Sequence, residues 1–149
     1  MKGEKIISYW SHMYSRPNVF GTGPTKLAKM ANDLIHDKSI NNILEIGCGQ
    51  GRDSIFFSEK GYFVETFDIS ENAIIFVNKT KKSFNLKNLN AIVHDVTEPF
   101  SYSNNFFDFV YSNLALQFFD IDSLEKIFDN IHRVMKDEAT ILFSTKKKG

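Results

Sequence analysis

Residues 44–54 read Leu-Glu-Ile-Gly-Cys-Gly-Gln-Gly-Arg-Asp-Ser, with Gly47, Gly49 and Gly51 at alternate positions directly behind an apolar run. A glycine has no Cβ, so the chain can turn sharply there and bring its backbone close to a ligand. The helix-like stretch that follows presents unpaired N–H groups and a partial positive charge toward the same place. Strand, glycine turn and helix in that order describe any nucleotide-binding βα turn, including the dinucleotide fingerprint G-x-G-x-x-G. Here the spacing is G-x-G-x-G, and Glu45 stands two residues ahead of Gly47. A carboxylate in that place opposes a ligand phosphate but could receive an ammonium group, directly or through water. The plainer alternative is a tight turn beside a surface glutamate.

The rest of the chain alternates between strand-like and helix-like segments. Tyr9–Tyr14 sits in a short first helix, and a loop with two prolines and two glycines follows. Pro24 is placed to open the next helix, where its missing N–H costs nothing. Leu27, Met30, Ala31, Leu34 and Ile35 repeat there at helical spacing. Asn42–Gly47 reads as a buried strand, and Arg52–Lys60 as a short helix stopped by Gly61. Tyr62–Asp68 is a second strand. Ser70 caps a helix with Ala73, Val77, Thr80 and Phe84 on one face. Asn90–Asp95 is a third strand and Phe106–Asn113 a fourth. Asp122 and Glu125 mark the start of a helix with the stripe Leu124, Ile127, Phe128, Ile131 and Met135. Ala139–Lys146 is a fifth strand.

Such alternation predicts an α/β, doubly wound, mostly parallel sheet joined by right-handed crossovers. Sheets of this type bind ligands beyond the carboxyl ends of their strands, near the switch in strand order. The chemistry is therefore sought in the residues just after each strand. With 149 residues, 42% hydrophobic and 24% charged, the chain suits one domain with a core rich in its 15 phenylalanines. Lys plus Arg balances Asp plus Glu at 18 each, so no global field favours nucleic acid or an anionic membrane. No apolar stretch reaches membrane-spanning length, and the first residues lack a secretory core. The single cysteine excludes an intramolecular disulfide and suits a reducing cytosol, so a cytoplasmic location is expected.

Asp68 ends the second strand, about 20 positions after the first glycine, where dinucleotide folds place an acid for the ribose hydroxyls. A capping role beside Ser70 is the competing reading. Asp95 ends the third strand; its carboxylate could accept from an adenine amino group while the Val96 N–H donates to the ring. Glu45-x-Gly47-x-Gly49-x-Gly51, then Asp68, then His94-Asp95-Val96, then the segment Phe107–Phe118 together resemble the first four motifs of class I S-adenosylmethionine-dependent methyltransferases. The likeness runs from about Ile43 to Thr145. It is nearest the small-molecule branch that includes tellurite-resistance and thiopurine methyltransferase-like proteins.

The resemblance implies a Rossmann-like sheet of order 3-2-1-4-5, with residues 1–38 as a helical cover and 39–149 as the α/β core of a single domain. It implies S-adenosylmethionine as cofactor and S-adenosylhomocysteine as product. The binding residues it implies are Glu45, Gly47, Cys48, Gly49, Gly51, Asp68, Ile69, Asp95, Val96, Asn113 and Leu114. Glu45 would support the ammonium end, Asp68 would hold the ribose, and Ile69, Val96 and Leu114 would wall the adenine with Asp95 at its edge. Asn113 would face the methionine part or the incoming nucleophile. The implied activity is methyl transfer to a small-molecule nucleophile. A non-catalytic cofactor-binding module needing a partner chain, or a protein methyltransferase, is the alternative. A nicotinamide-dependent oxidoreductase fits the glycine spacing and Glu45 less well.

No catalytic base stands out, because the sulfonium is already activated and the chain needs only to align the reactants. The four histidines lack metal-ligand spacing, so no metal is expected. His94 reads as a packed residue and His12 as a candidate base near the cover. Cys48 reads as a small residue filling the turn. Trp10 and Tyr14 either face the sulfonium by cation–π contact or pack a helix on the sheet. Arg52 meets a carboxylate or solvent. Lys79, Lys81, Lys82 and Lys87 read as a solvated face. The family's sheet continues past the fifth strand with a helix and an antiparallel strand pair, which have no counterpart before Gly149. The fifth strand would then be an open edge: either the α/β core is truncated at its C-terminus, or a homodimer or another partner covers that edge.

Overall fold

The computed structural model describes residues 3–147. Strands β1 (Asn42–Ile46), β2 (Phe63–Asp68), β3 (Leu89–Val93), β4 (Phe107–Asn113) and β5 (Met135–Ser144) form one sheet in the order β3-β2-β1-β4-β5. Every pairing is parallel. The helices are α1 (Gly3–Met13), α2 (Lys26–Ile35), α3 (Arg52–Glu59), α4 (Glu71–Ser83) and α5 (Ile121–Val134). None of them is long and apolar enough to cross a membrane.

The period of two along β1 sorts the core into two layers. Ile43 packs with Ala28, Phe57, Val77 and Phe109, under α2, α3 and α4. Leu44 and Ile46 point the other way, to Phe67, Val110, Ile127 and Ile131, under α5. Glu45 therefore shares the Ile43 face and meets α3. β1 lies between β2 and β4, so the winding reverses there and a crevice opens above the strand ends.

Several local expectations shift. Thr25 caps α2 by accepting from the Ala28 N–H, one position after Pro24. The buried stripe of α2 is Ala28, Ala31 and Ile35, while Met30 and Leu34 are half-exposed. Ala28 and Ala31 belong to the core layer with Ile43 and Phe109, which leaves the larger Met30 and Leu34 outward. Phe84 ends α4 in solvent. Asp120, not Asp122, caps α5, its carboxylate accepting from the Ser123 N–H at 2.8 Å. Met135 begins β5 rather than continuing the helical stripe. That strand starts early because Met135 pairs with Phe107, then passes through a register shift near Glu138, whose φ is 65°, before Thr140 pairs with Phe109. The strand–helix alternation also fails once: residues 94–106, between β3 and β4, hold no helix. Arg133 of α5 organises that loop by donating to the carbonyls of Phe100 and Tyr102 and to Asn104 Oδ1.

Candidate active site

A cavity of about 680 Å³ lies over the carboxyl ends of β1 to β4, within the range usual for small-molecule sites. Glu45, Gly47, Cys48, Gly49, Asp68, Ile69, Asp95, Val96, Asn113 and Leu114 all line it. Gly51 alone of the expected set does not. A side chain there would run into Val77 Cγ2 at 2.9 Å, so its bareness lets α3 pack against α4. Gly47 likewise faces Ala115, whose Cβ would lie 2.6 Å from an added Cβ. Gly49 lies beneath Tyr14, whose Oη would be 2.7 Å from such a Cβ. The three bare positions thus serve three different close approaches.

The amides of the turn are largely committed within the protein. Gly47 and Cys48 donate to the Phe67 carbonyl at 3.0 and 3.2 Å, and Gly51 donates to the Cys48 carbonyl at 3.0 Å. Gly49 donates to Asp68 Oδ2 at 2.9 Å. The backbone here is not an open cradle for a diphosphate.

The wall is acidic instead. Glu45 is buried and accepts from the Ser54 hydroxyl. Burial first, and then the neighbouring Asp53 charge, pushes its carboxyl well above the usual carboxylate range, against the lowering effect of Ser54. Asp68 is also raised by burial, held back by hydrogen bonds from the backbone N–H groups of Ser70 and Gly49. Each of its oxygens accepts one such bond, and a carboxylate oxygen has room for a second. Asp53, also buried, accepts from the Thr25 N–H and hydroxyl, both at 2.8 Å, and from the Tyr111 hydroxyl at 2.6 Å. It thereby ties the start of α2 to α3 behind Glu45.

Asp95 Oδ1 accepts from the Thr97 N–H and hydroxyl, folding the segment after β3 into a tight turn. Asn113 Oδ1 accepts from the Ser144 hydroxyl at 2.6 Å, and the Leu114 N–H donates to the Ser144 carbonyl at 3.1 Å. Leu114 has φ 58°, an uncommon conformation for a branched residue, and strain of that kind gathers at ligand sites.

Trp10, Tyr14 and Phe20, from α1 and the loop after it, and Phe118, after β4, also line the cavity. Trp10 stacks on Tyr14 with centroids 5.7 Å apart and meets Phe118 edge-on at 5.5 Å. These aromatic residues face the site rather than the sheet. Burial, then Asp68, raises the Tyr14 phenol, so the hydroxyl keeps its proton. Burial, then Asp68 and Glu45, likewise pushes the Cys48 thiol up, which removes it as a nucleophile. His94 packs against Phe67 and Phe100 at the cavity edge. Arg52 meets neither a carboxylate nor bare solvent: Nε donates to the Gly23 carbonyl and Nη1 to the Phe20 carbonyl.

Sequence reasoning missed Asp53, Tyr111, Gln50 and Phe118. Asp53 carried one usable signal. It lies four residues before Phe57, one turn away on the buried face of α3, where an acid needs partners.

A parallel 3-2-1-4-5 sheet, a glycine turn after β1 and acids at successive strand ends define the class I methyltransferase fold. The family described as "Tellurite resistance protein TehB" matches residues 22–143. This chain belongs to that family. Among curated proteins, the one named probable S-adenosyl-L-methionine-dependent methyltransferase TehB from Haemophilus influenzae (strain Rd) is 35% identical over 89 residues, 60% of this chain and 30% of that protein. Malonyl-(acyl-carrier protein) O-methyltransferase 2 of Ilyobacter polytropus is 34% identical over 114 residues, 72% of this chain and 40% of its own length. The crystal structure of TehB from Haemophilus influenzae superposes with a TM-score of 0.64 at 30% identity, covering 84% of this chain and 40% of that one. PH0226 from Pyrococcus horikoshii superposes at 0.70 with 25% identity, covering 78% and 53%. The chain spans 30% to 40% of the length of these curated relatives.

Proposed function

We propose that this chain binds S-adenosylmethionine and transfers its methyl group to a small-molecule nucleophile by in-line displacement. The observation that carries the proposal is the wall of the cavity: buried Glu45, Asp53 and Asp68 beside a glycine turn whose amides are already committed. Such a wall favours a cationic ligand with a ribose and disfavours a diphosphate. Both curated relatives are named as methyltransferases, which supports methyl transfer as the reaction.

When bound, the cofactor supplies a methyl group already activated on a sulfonium. The chain's own residues need only bind, orient and exclude water. Asp68 offers the free lone pairs of its two oxygens to the ribose hydroxyls. Glu45, held by Ser54, faces the ammonium end. Ile69, Val96 and Leu114 would wall the adenine, with the Asp95 carboxylate at its edge. Asn113, oriented by Ser144, would face the methionine part or the incoming nucleophile. Trp10, Tyr14 and Phe118 close the mouth against water. Alignment of this kind is worth up to about 7–11 kcal/mol. The acceptor is a small molecule, and neither nucleic acid nor a membrane takes part. Cys48, a buried free thiol, suits a reducing compartment, which supports a cytoplasmic location. A further segment of the protein, a second copy or another partner covers the outer edge of β5.

Calorimetric titration with S-adenosylmethionine, S-adenosylhomocysteine and NAD tests the proposal. The first two should bind. Asp68→Ala removes two charge-assisted hydrogen bonds, each worth about 1.5–3 kcal/mol, so affinity should fall on the order of 100-fold or more. Lys82→Ala should leave it unchanged. Tight binding of NAD alone, or equal effects of the two substitutions, would refute it.

A further inference from the structure

α1 covers the cavity without burying any residue of its own, so something other than core packing must hold it in place. One tie is Asn72 of α4, whose Nδ2 donates to the Ser11 carbonyl at 2.7 Å. The other is Gln50, which stands in the turn between Gly49 and Gly51 and is only 8% exposed. Both ends of its amide serve the loop that follows α1. Oε1 accepts from the Val19 N–H at 2.9 Å, and Nε2 donates to the Arg16 carbonyl at 2.5 Å. A primary amide carries an acceptor and a donor on one rigid plane, and here the loop presents one backbone group to each. Next to it, Gly49 lies under the Tyr14 ring and donates its N–H to Asp68. Acid, turn and cover form one unbroken set of contacts.

We propose that Gln50 is a positioning residue whose amide clamps the loop 16–19 and thereby holds Trp10 and Tyr14 closed over the cavity, coupling the cover to the ligand-binding turn. Its catalytic consequence rests on the methyl-transfer reading above, but the clamp exists with or without a ligand. Trp10 is the only tryptophan in the chain, so its fluorescence reports on the cover alone. Gln50→Met fills the same space with no polar ends. Gln50→Glu keeps an acceptor for Val19 but sets a carboxylate oxygen against the Arg16 carbonyl. In the full chain without ligand, both variants should raise acrylamide quenching of Trp10 severalfold while circular dichroism remains that of the parent. Stopped-flow displacement should show S-adenosylhomocysteine leaving about tenfold faster. Asn72→Ala should act in the same direction and add to Gln50→Met. Unchanged quenching in both folded Gln50 variants would overturn the clamp. Raised quenching in the variants of a parent that itself binds no S-adenosylhomocysteine would support the clamp and overturn the methyl-transfer reading instead.

Discussion

Glu45 sits where its own charge is unwelcome, beneath α3 with Asp53 beside it and one hydroxyl to accept from. Its carboxyl binds a proton more tightly in the folded chain than at the ordinary value of 4.5. Its contribution to stability is therefore fully present below 4.5 and is lost as the pH rises toward the folded value. Glu45→Gln retains an acceptor for Ser54 and removes the charge. The variant should be more stable than the parent at neutral pH, with a flatter decline above pH 4.5, and it should bind S-adenosylmethionine more weakly. Urea denaturation across a pH series checks this, and parallel profiles would count against it. Glu45 is legible in the sequence because strand alternation and the glycine spacing both mark it. Asp53 is not legible in that way. An acid in the first turn is what any helix start favours, and its partners Thr25 and Tyr111 lie 28 and 58 positions away.

The elements that build the site are short, and their ends do the aiming. Ser70 caps α4 by accepting from the Ala73 N–H, while its own N–H donates to Asp68. Ser70→Ala keeps the second bond and loses the first, costing about 1 kcal/mol. The melting temperature should fall by about 2–4 °C, with affinity for S-adenosylmethionine little changed; a large loss of affinity would mean that the cap itself shapes the proposed ribose site. That helix start, like β1 to β4, is legible because a capping serine ahead of a periodic run is a local signal. The exposed face of α2 is not. Whether Met30 or Ala28 turns inward depends on how closely the helix can approach the sheet, and the sheet is assembled from residues far along the chain. The same holds for the loop 94–106, which takes its shape from Arg133, 31 to 33 positions further along the chain from the carbonyls it holds.

At the scale of the whole sheet, β5 is paired on one side only among the described residues, by β4. Phe143 is 43% exposed there and leans on Phe128 of α5. An apolar edge with open backbone groups invites pairing with another chain. Sedimentation velocity should show concentration-dependent association, weakened by Phe143→Lys; a monomer at high concentration would mean that the edge is protected.

The acidic wall reaches further than the reaction. None of Glu45, Asp53 and Asp68 forms an ion pair among the described residues. A cation arriving in the cavity relieves a repulsion that the fold otherwise carries. Saturation at a hundred times the dissociation constant adds about 2.7 kcal/mol to stability, enough to thin the unfolded population on which proteases feed. The lifetime of this chain in a cell would then follow the supply of its ligand; under the proposed function, starvation for methyl donors would lower the amount of protein with no change in its synthesis.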